Sequence, residues 1–131
     1  MNVILLLGAI LGLASVIMGA YIDHGLAPHL SDKSLSQVLT AVRYHQSYAI
    51  VICAIALSLS ARINPKIKWW LTLSAYLFLI GILLFSFSIY LSVILSASQW
   101  LSLAPWGGST LMLGWVCLIR VAFVKCAEKL S

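Results

Sequence analysis

Between Trp69 and Ile119 the chain carries no Asp, Glu, Lys, Arg or His. An uncharged stretch of that length constrains the fold more than any other feature of the sequence. A domain in water must coat its surface with polar groups, and ordinary globular chains are about a quarter charged. Here 63% of the residues are hydrophobic and 8% are charged. The solvent for most of this surface is therefore lipid. In hydrocarbon every backbone N–H and C=O needs a partner inside the protein, and a helix supplies those partners within one segment. A span takes ~20 residues, so the uncharged stretch holds two of them.

Four apolar runs meet that length: about Val3 to Ile22, Gln37 to Ala61, Trp69 to Ala97 and Pro105 to Val124. The expected fold class is all-α, an integral membrane bundle of four transmembrane helices with residues 1–131 as a single domain. The first run has no basic n-region and exceeds the length of a signal-peptide core, so it reads as a retained span. The third run is longer than a bilayer requires and is expected to tilt or project. "SDKS" offers Ser34 and Ser36 as caps for the second helix. "RINPK" reads as a turn, with Asn64-Pro65 ending a helix. Pro105 suits the first turn of the fourth.

The net charge of +5 reports orientation in such a chain and gives no reason to expect a nucleic-acid partner. Four spans place both termini and the second connection on one side, with Arg62, Lys66, Lys68, Arg120, Lys125 and Lys129. The opposite side holds Lys33 and Arg43. The excess of Lys and Arg puts both termini in the cytoplasm. Trp69 and Trp70 then mark the inner interface, Trp100 and Trp106 the outer one. Cys53, Cys117 and Cys126 show neither a CxxC pair nor metal-ligand spacing and read as small packing residues.

Small residues recur at helical spacing. The first span carries Gly8, Gly12, Ser15 and Gly19 on one face. Gly81 in the third span and Gly107 and Gly114 in the fourth offer matching seams. Within lipid, such stripes let helix backbones approach closely. They serve either the bundle itself or a homo-oligomer, and Gly12 is expected to be intolerant of bulk.

A polar constellation lies at the outer end. Asp23 follows Gly19 by four residues and continues its stripe, and Arg43 stands in the first turns of the second span. A charge within a span usually faces the bundle interior with a partner, so Asp23 and Arg43 are expected to form an ion pair. His24, His29 and His45 match no metal-ligand motif, and neither a metal nor a cofactor is expected. A proton relay through Asp23, His24 and His45 has no further support. No nucleophile elbow is present, and no enzymatic chemistry is expected. Instead His24, Arg43, Tyr44, Ser86 and Tyr90 stand at comparable depth and are expected to line a polar pocket. Arg43 would face the anionic head group of a lipid or amphiphile, with the tyrosine hydroxyls beside apolar rings.

The segments "MGAYIDHGL" (18–26), "AVRYHQSYA" (41–49), "LFSFSIYL" (84–91) and "APWGGSTLMLGW" (104–115) resemble the signature blocks of the YgdD/YwdK-like family. These are small four-helix bacterial inner-membrane proteins, a family catalogued as domain of unknown function 423. By position the resemblance points to Gly19, Ala20, His24, Gly25, Leu26, Arg43 and Tyr44. It continues with Phe85, Ser86, Ser88, Tyr90, Pro105, Gly107, Gly108, Gly114 and Trp115. Asp23 stands where the family pattern has alanine, Ile22 where it has glycine, His45 where it has glutamine and Tyr48 where it has histidine. The resemblance implies a four-span fold and a location in the bacterial inner membrane, with membrane integrity among the suggested roles, and it implies no reaction. The matching blocks fall in the outer half of the bundle, which favours a shared site there. A small oligomeric transporter and an accessory subunit of a larger membrane complex are the alternative readings.

Overall fold

The computed structural model describes residues 2–130, with side chains described through Val124. Lys125, Cys126, Glu128 and Lys129, part of the orientation and cysteine readings, lie outside the described side chains. Every regular element among the described residues is helical.

Helix α1, Val3–Tyr21, starts at Asn2, whose Oδ1 accepts from the Leu5 N–H at 3.1 Å. The same side chain donates from Nδ2 to the Ala56 carbonyl at 2.9 Å, which pins the start of α1 to the end of the next helix. Past Tyr21 the coil widens into a π-helical turn, Ile22–Leu26, and then tightens into a 3₁₀ turn, Ala27–His29. Helix α2, Asp32–Ser58, is capped by Ser31, whose Oγ accepts from the Ser34 N–H at 3.2 Å. It therefore begins five residues before the expected Gln37, and neither Ser34 nor Ser36 is the cap. The apolar run sets where the lipid begins, whereas the helix starts where a side chain satisfies the first free N–H groups.

Asn64-Pro65 also works in the opposite sense to the expectation. It opens helix α3, Pro65–Ile82, with Asn64 Oδ1 accepting from the Lys66 N–H at 2.8 Å and Pro65 in the first turn, where its missing N–H costs nothing. A second π-helical turn, Leu83–Phe87, joins α3 to α4, Ser88–Ile94. The α4 end is a Schellman closure: Ala97 N–H donates to the Ser92 carbonyl at 3.0 Å and Ser96 N–H to Val93 at 3.4 Å. Ser96 takes the left-handed position there, φ 50°, which glycine usually fills. A 3₁₀ segment, Ser98–Leu103, leads into α5, Ala104–Leu130.

Four stretches are long and apolar enough to cross a membrane: Val3–His29, Asp32–Ser58, Pro65–Ile94 and Ser98–Val124. α1 packs along α2, α3 packs along α5, and the two hairpins join through α2 against α3 and α4. Phe78, Ile52, Ile82, Ala49 and Leu111 fill the centre. A second cluster near the α1–α2 turn holds Ile22, Val38, Ala41, Val42, Ile89 and Tyr90.

The glycines show which seams are tight. A Cβ on Gly81 would stand 2.5 Å from Leu111 Cδ2, and one on Gly114 would stand 2.5 Å from Phe78 Cε1. On Gly107 it would overlap the Phe85 backbone. Ser74 crosses this seam, its Oγ donating to the Gly114 carbonyl at 2.9 Å. On α1, a Cβ on Gly8 would meet Cys53 Sγ at 2.9 Å, but one on Gly12 would leave 3.9 Å to Ala49 Cβ. Gly12 has room for a methyl, so the tight point of the α1 seam is Gly8. That stripe already faces α2 at Gly8, Gly12 and Gly19, so it is not free for a second copy of the chain.

Candidate functional site

Asp23 and Arg43 do not pair. Among the described residues no ion pair joins them, and both side chains are exposed. The reason lies in the helical faces. The buried line of α1 runs through Ile4, Gly8, Leu11 and Ser15, and the residue that continues it is Ile22. Asp23 is one residue further round. On α2 the face toward α1 carries Val42, Gln46 and Ala49, and Arg43 lies about 100° from Val42.

The five residues expected to share a pocket fall into three places. His24 is exposed at the π-helical turn after α1. Ser86 and Tyr90 are inside the bundle. Ser86 sits in the π-helical turn between α3 and α4, and its Oγ donates across to the Ala41 carbonyl of α2 at 2.8 Å. The Tyr90 hydroxyl shares a 3.2 Å hydrogen bond with His45 Nδ1. His45 is fully buried, 0% exposed, and its ring lies 5.3 Å from that of Phe87. Its Nε2 is buried without a hydrogen-bond partner among the described residues. The histidine at the centre of the bundle is thus His45, which ties α2 to α4, and not His24. Among the described residues no three His, Cys, Asp or Glu side chains come together.

Arg43 and Tyr44 point the other way, to the surface between α2 and α5. With Ser47, Tyr48, Val51 and Trp115 they line an open groove of about 240 Å³. Arg43, Ser47 and Val51 stand four residues apart and form one stripe of α2. Tyr44 lies against Phe85, ring centroids 4.8 Å apart, and Tyr48 against Phe78 at 5.0 Å. Trp115 reaches across from α5, its Nε1 donating to the Tyr48 hydroxyl at 2.7 Å. The groove floor is therefore held by aromatic contacts and one hydrogen bond.

The depth of Arg43 follows from its neighbours. Gly19 faces Val42 and Gln46, which sets Arg43 at the level of Gly19, three residues or about 5 Å inside the end of the first apolar run. A guanidinium there sits at the rim of the hydrocarbon layer, and its long side chain can carry the charge to the interface. A second hollow of about 410 Å³ continues from Arg43 toward the start of α2, lined by Asp32, Leu35, Ser36, Leu39 and Thr40. Arg43 lines both, so the two hollows flank it along α2 and together make a trough from Asp32 to Val51 with Arg43 between them.

Sequence reasoning placed Arg43 and Tyr44 but missed Ser47, Tyr48, Val51 and Trp115 as their companions. The four-residue spacing from Arg43 through Ser47 to Val51 was visible. The arrival of Trp115 from α5 was not, because it depends on how the α3–α5 hairpin meets α2.

Comparison with known proteins agrees with this architecture. Residues 18–108 match the model of a family described as a protein of unknown function, DUF423. A UPF0382 membrane protein of Haemophilus influenzae is 35% identical over 93% of this chain and 94% of its own length. UPF0382 membrane protein YwdK of Bacillus subtilis is 34% identical over 95% of this chain and 98% of its own. UPF0382 inner membrane protein YgdD of Escherichia coli is 26% identical over 95% and 92% respectively. No solved structure matches the chain. Four spanning helices, the family match over most of the chain and near full-length similarity to these membrane proteins together make the chain a member of the DUF423/UPF0382 family, a multi-pass protein of the bacterial inner membrane.

Proposed function

We propose that this is a non-enzymatic membrane protein that holds a phospholipid in the groove between α2 and α5, with Arg43 on the lipid phosphate, and that it supports membrane integrity in this way. The observation that carries the reading is Arg43 itself. It is a cation at the rim of the hydrocarbon layer, it opens onto a groove, and among the described residues no carboxylate neutralises it. From that depth the side chain reaches the head-group level, where phosphate is the anion that a bilayer supplies. The guanidinium fork matches phosphate oxygens two at a time. Below it Val51, Tyr48 and Trp115 offer an acyl chain an apolar bed with rigid walls. In the proposed orientation both termini are cytoplasmic and the groove opens toward the outer leaflet.

The test compares the parent with Arg43→Gln, purified in mild detergent, by native mass spectrometry and by thermal unfolding with added phospholipid. The parent is expected to retain lipid and to be stabilised by it, and the variant to lose both. Equal retention and equal stabilisation would remove Arg43 as a ligand contact. A second reading is association with another copy or a larger membrane complex, for which α1, at the edge of the bundle, leaves its Ile10, Leu13, Val16 and Ile17 face uncovered. The same spectra report it as a dimer peak that survives delipidation.

A further inference from the structure

The trough along α2 does not have one sign of charge. Arg43 closes the lower end of the 410 Å³ hollow and Asp32 stands at the upper end, with the Ser36 and Thr40 hydroxyl-bearing residues and two leucines between them. The Thr40 Oγ1 is committed to the Ser36 carbonyl at 2.9 Å. The two charged groups make no ion pair among the described residues, and both are exposed. They are eleven residues apart, about 16 Å along the helix axis. Both side chains lean toward the helix N-terminus, so it is the greater length of the arginine that narrows this gap, its reach running toward Asp32 and the interface. The occupant that complements this pattern carries its phosphate deeper and a cationic amine nearer the water.

We propose that the head group held at this site is that of a zwitterionic aminophospholipid, with its phosphate on Arg43 and its ammonium on Asp32. This rests on the lipid-binding reading above and adds the lipid class. Asp32 already has a structural use: an acid in the first turn of α2 is stabilised by the free N–H groups there. That use needs only the carboxylate's position on the helix, and it does not call for a hollow joining the acid to Arg43. A phosphatidylglycerol head group would satisfy Arg43 but offer Asp32 neutral hydroxyl donors in place of an ammonium, so the pair favours the aminophospholipid by one charge-assisted contact. Lys33 lies on a different face, in a separate hollow with His29 and Ser34, and leaves the charge pattern of the trough unchanged.

The experiment offers the full-length protein in mild detergent an equimolar mixture of dioleoyl phosphatidylethanolamine and dioleoyl phosphatidylglycerol, so that the acyl chains are identical. Bound lipid is counted by native mass spectrometry for the parent, Asp32→Asn, Asp32→Glu and Arg43→Gln. The parent is expected to favour phosphatidylethanolamine by up to about fivefold, the range one exposed charge pair supplies. Asp32→Asn should keep its total lipid and lose that preference, and Asp32→Glu should restore it. A parent that favours phosphatidylglycerol, or an Asp32→Asn protein with an unchanged ratio, overturns the ammonium assignment while lipid binding stands. An Arg43→Gln protein that retains both lipids as the parent does overturns the underlying reading and this inference with it. Free inorganic phosphate in place of lipid should leave the melting temperature unmoved; a rise would assign the trough to a soluble anion and overturn the lipid.

Discussion

At the scale of single residues, the hydrogen bond between Tyr90 and His45 shows what a polar group inside a lipid-embedded bundle demands. No water is at hand to satisfy a stray nitrogen, so each buried polar atom either finds a partner or costs free energy. Tyr90 supplies one partner for His45. Elsewhere in the spans some hydroxyls are spent on carbonyls one turn back, as with Ser15 on Gly12 at 2.7 Å and Ser88 on Phe85 at 2.8 Å, while Ser74 and Ser86 reach carbonyls of neighbouring helices. Tyr90→Phe should leave both ring nitrogens of His45 without a hydrogen bond and destabilise the protein in detergent by about 1 kcal/mol. In a His45→Leu background the same change should cost little, since nothing is then orphaned. Thermal unfolding of the four proteins measures the coupling, and an identical Tyr90→Phe penalty in both backgrounds would show that the bond contributes nothing.

At the scale of elements, the π-helical turn Leu83–Phe87 and the start of α5 are matched parts. The wide turn carries the Phe85 backbone against α5, and only a residue without a side chain fits opposite. Gly107 is that residue, whereas a methyl placed on Gly108 would meet nothing within 4 Å. Gly107→Ala should therefore separate α5 from the turn and cost about 1–3 kcal/mol, the usual range for overpacking a filled interior. Gly108→Ala, one residue away, should be neutral or slightly stabilising, because it removes backbone freedom from a helix at no steric cost. The contrast is read from the melting temperatures of the two variants in the same detergent. Equal behaviour would mean that α5 does not seat on Phe85. Helical propensity alone makes no distinction between these neighbouring glycines.

At the scale of the molecule, the two hairpins leave different kinds of surface. α1 presents plain lipid-facing aliphatics, and the α2–α5 face presents the trough with Arg43. Trp69 and Trp70, a T-shaped pair with ring centroids 4.6 Å apart, stand at the start of α3. Trp100 and Trp106 stand beyond the far end of α4. Tryptophans thus sit near the start of the Pro65–Ile94 span and beyond its far end, as a bilayer with two interfaces requires. The charge bias gives the expected sides, with both termini cytoplasmic. A periplasm-dependent reporter fused after Ser131 should be inactive, and the same reporter inserted near Lys33 should be active. The reverse pattern would move the trough to the inner leaflet without altering its chemistry.

The sequence by itself determined that this chain lives in lipid, that it crosses four times and that its crossings are helices. These follow from composition and run length, because hydrocarbon leaves a backbone few alternatives. It also marked the small-residue seams and placed Arg43 and Tyr44 on one helix. Helix ends were less legible: the apolar run locates the lipid, while Ser31 and Asn64 locate the caps. The tertiary structure alone decided which neighbours the polar residues keep. Asp23 follows Gly19 by one helical turn and yet faces outward, since Ile22 takes the buried position. His45, not His24, meets Tyr90, and Trp115 completes a groove whose other walls belong to α2. Such pairings depend on the rotation of one helix against another, and that rotation is set by contacts such as Gly107 on Phe85 and Gly114 on Phe78, which join positions far apart in the chain and leave no local trace in either segment.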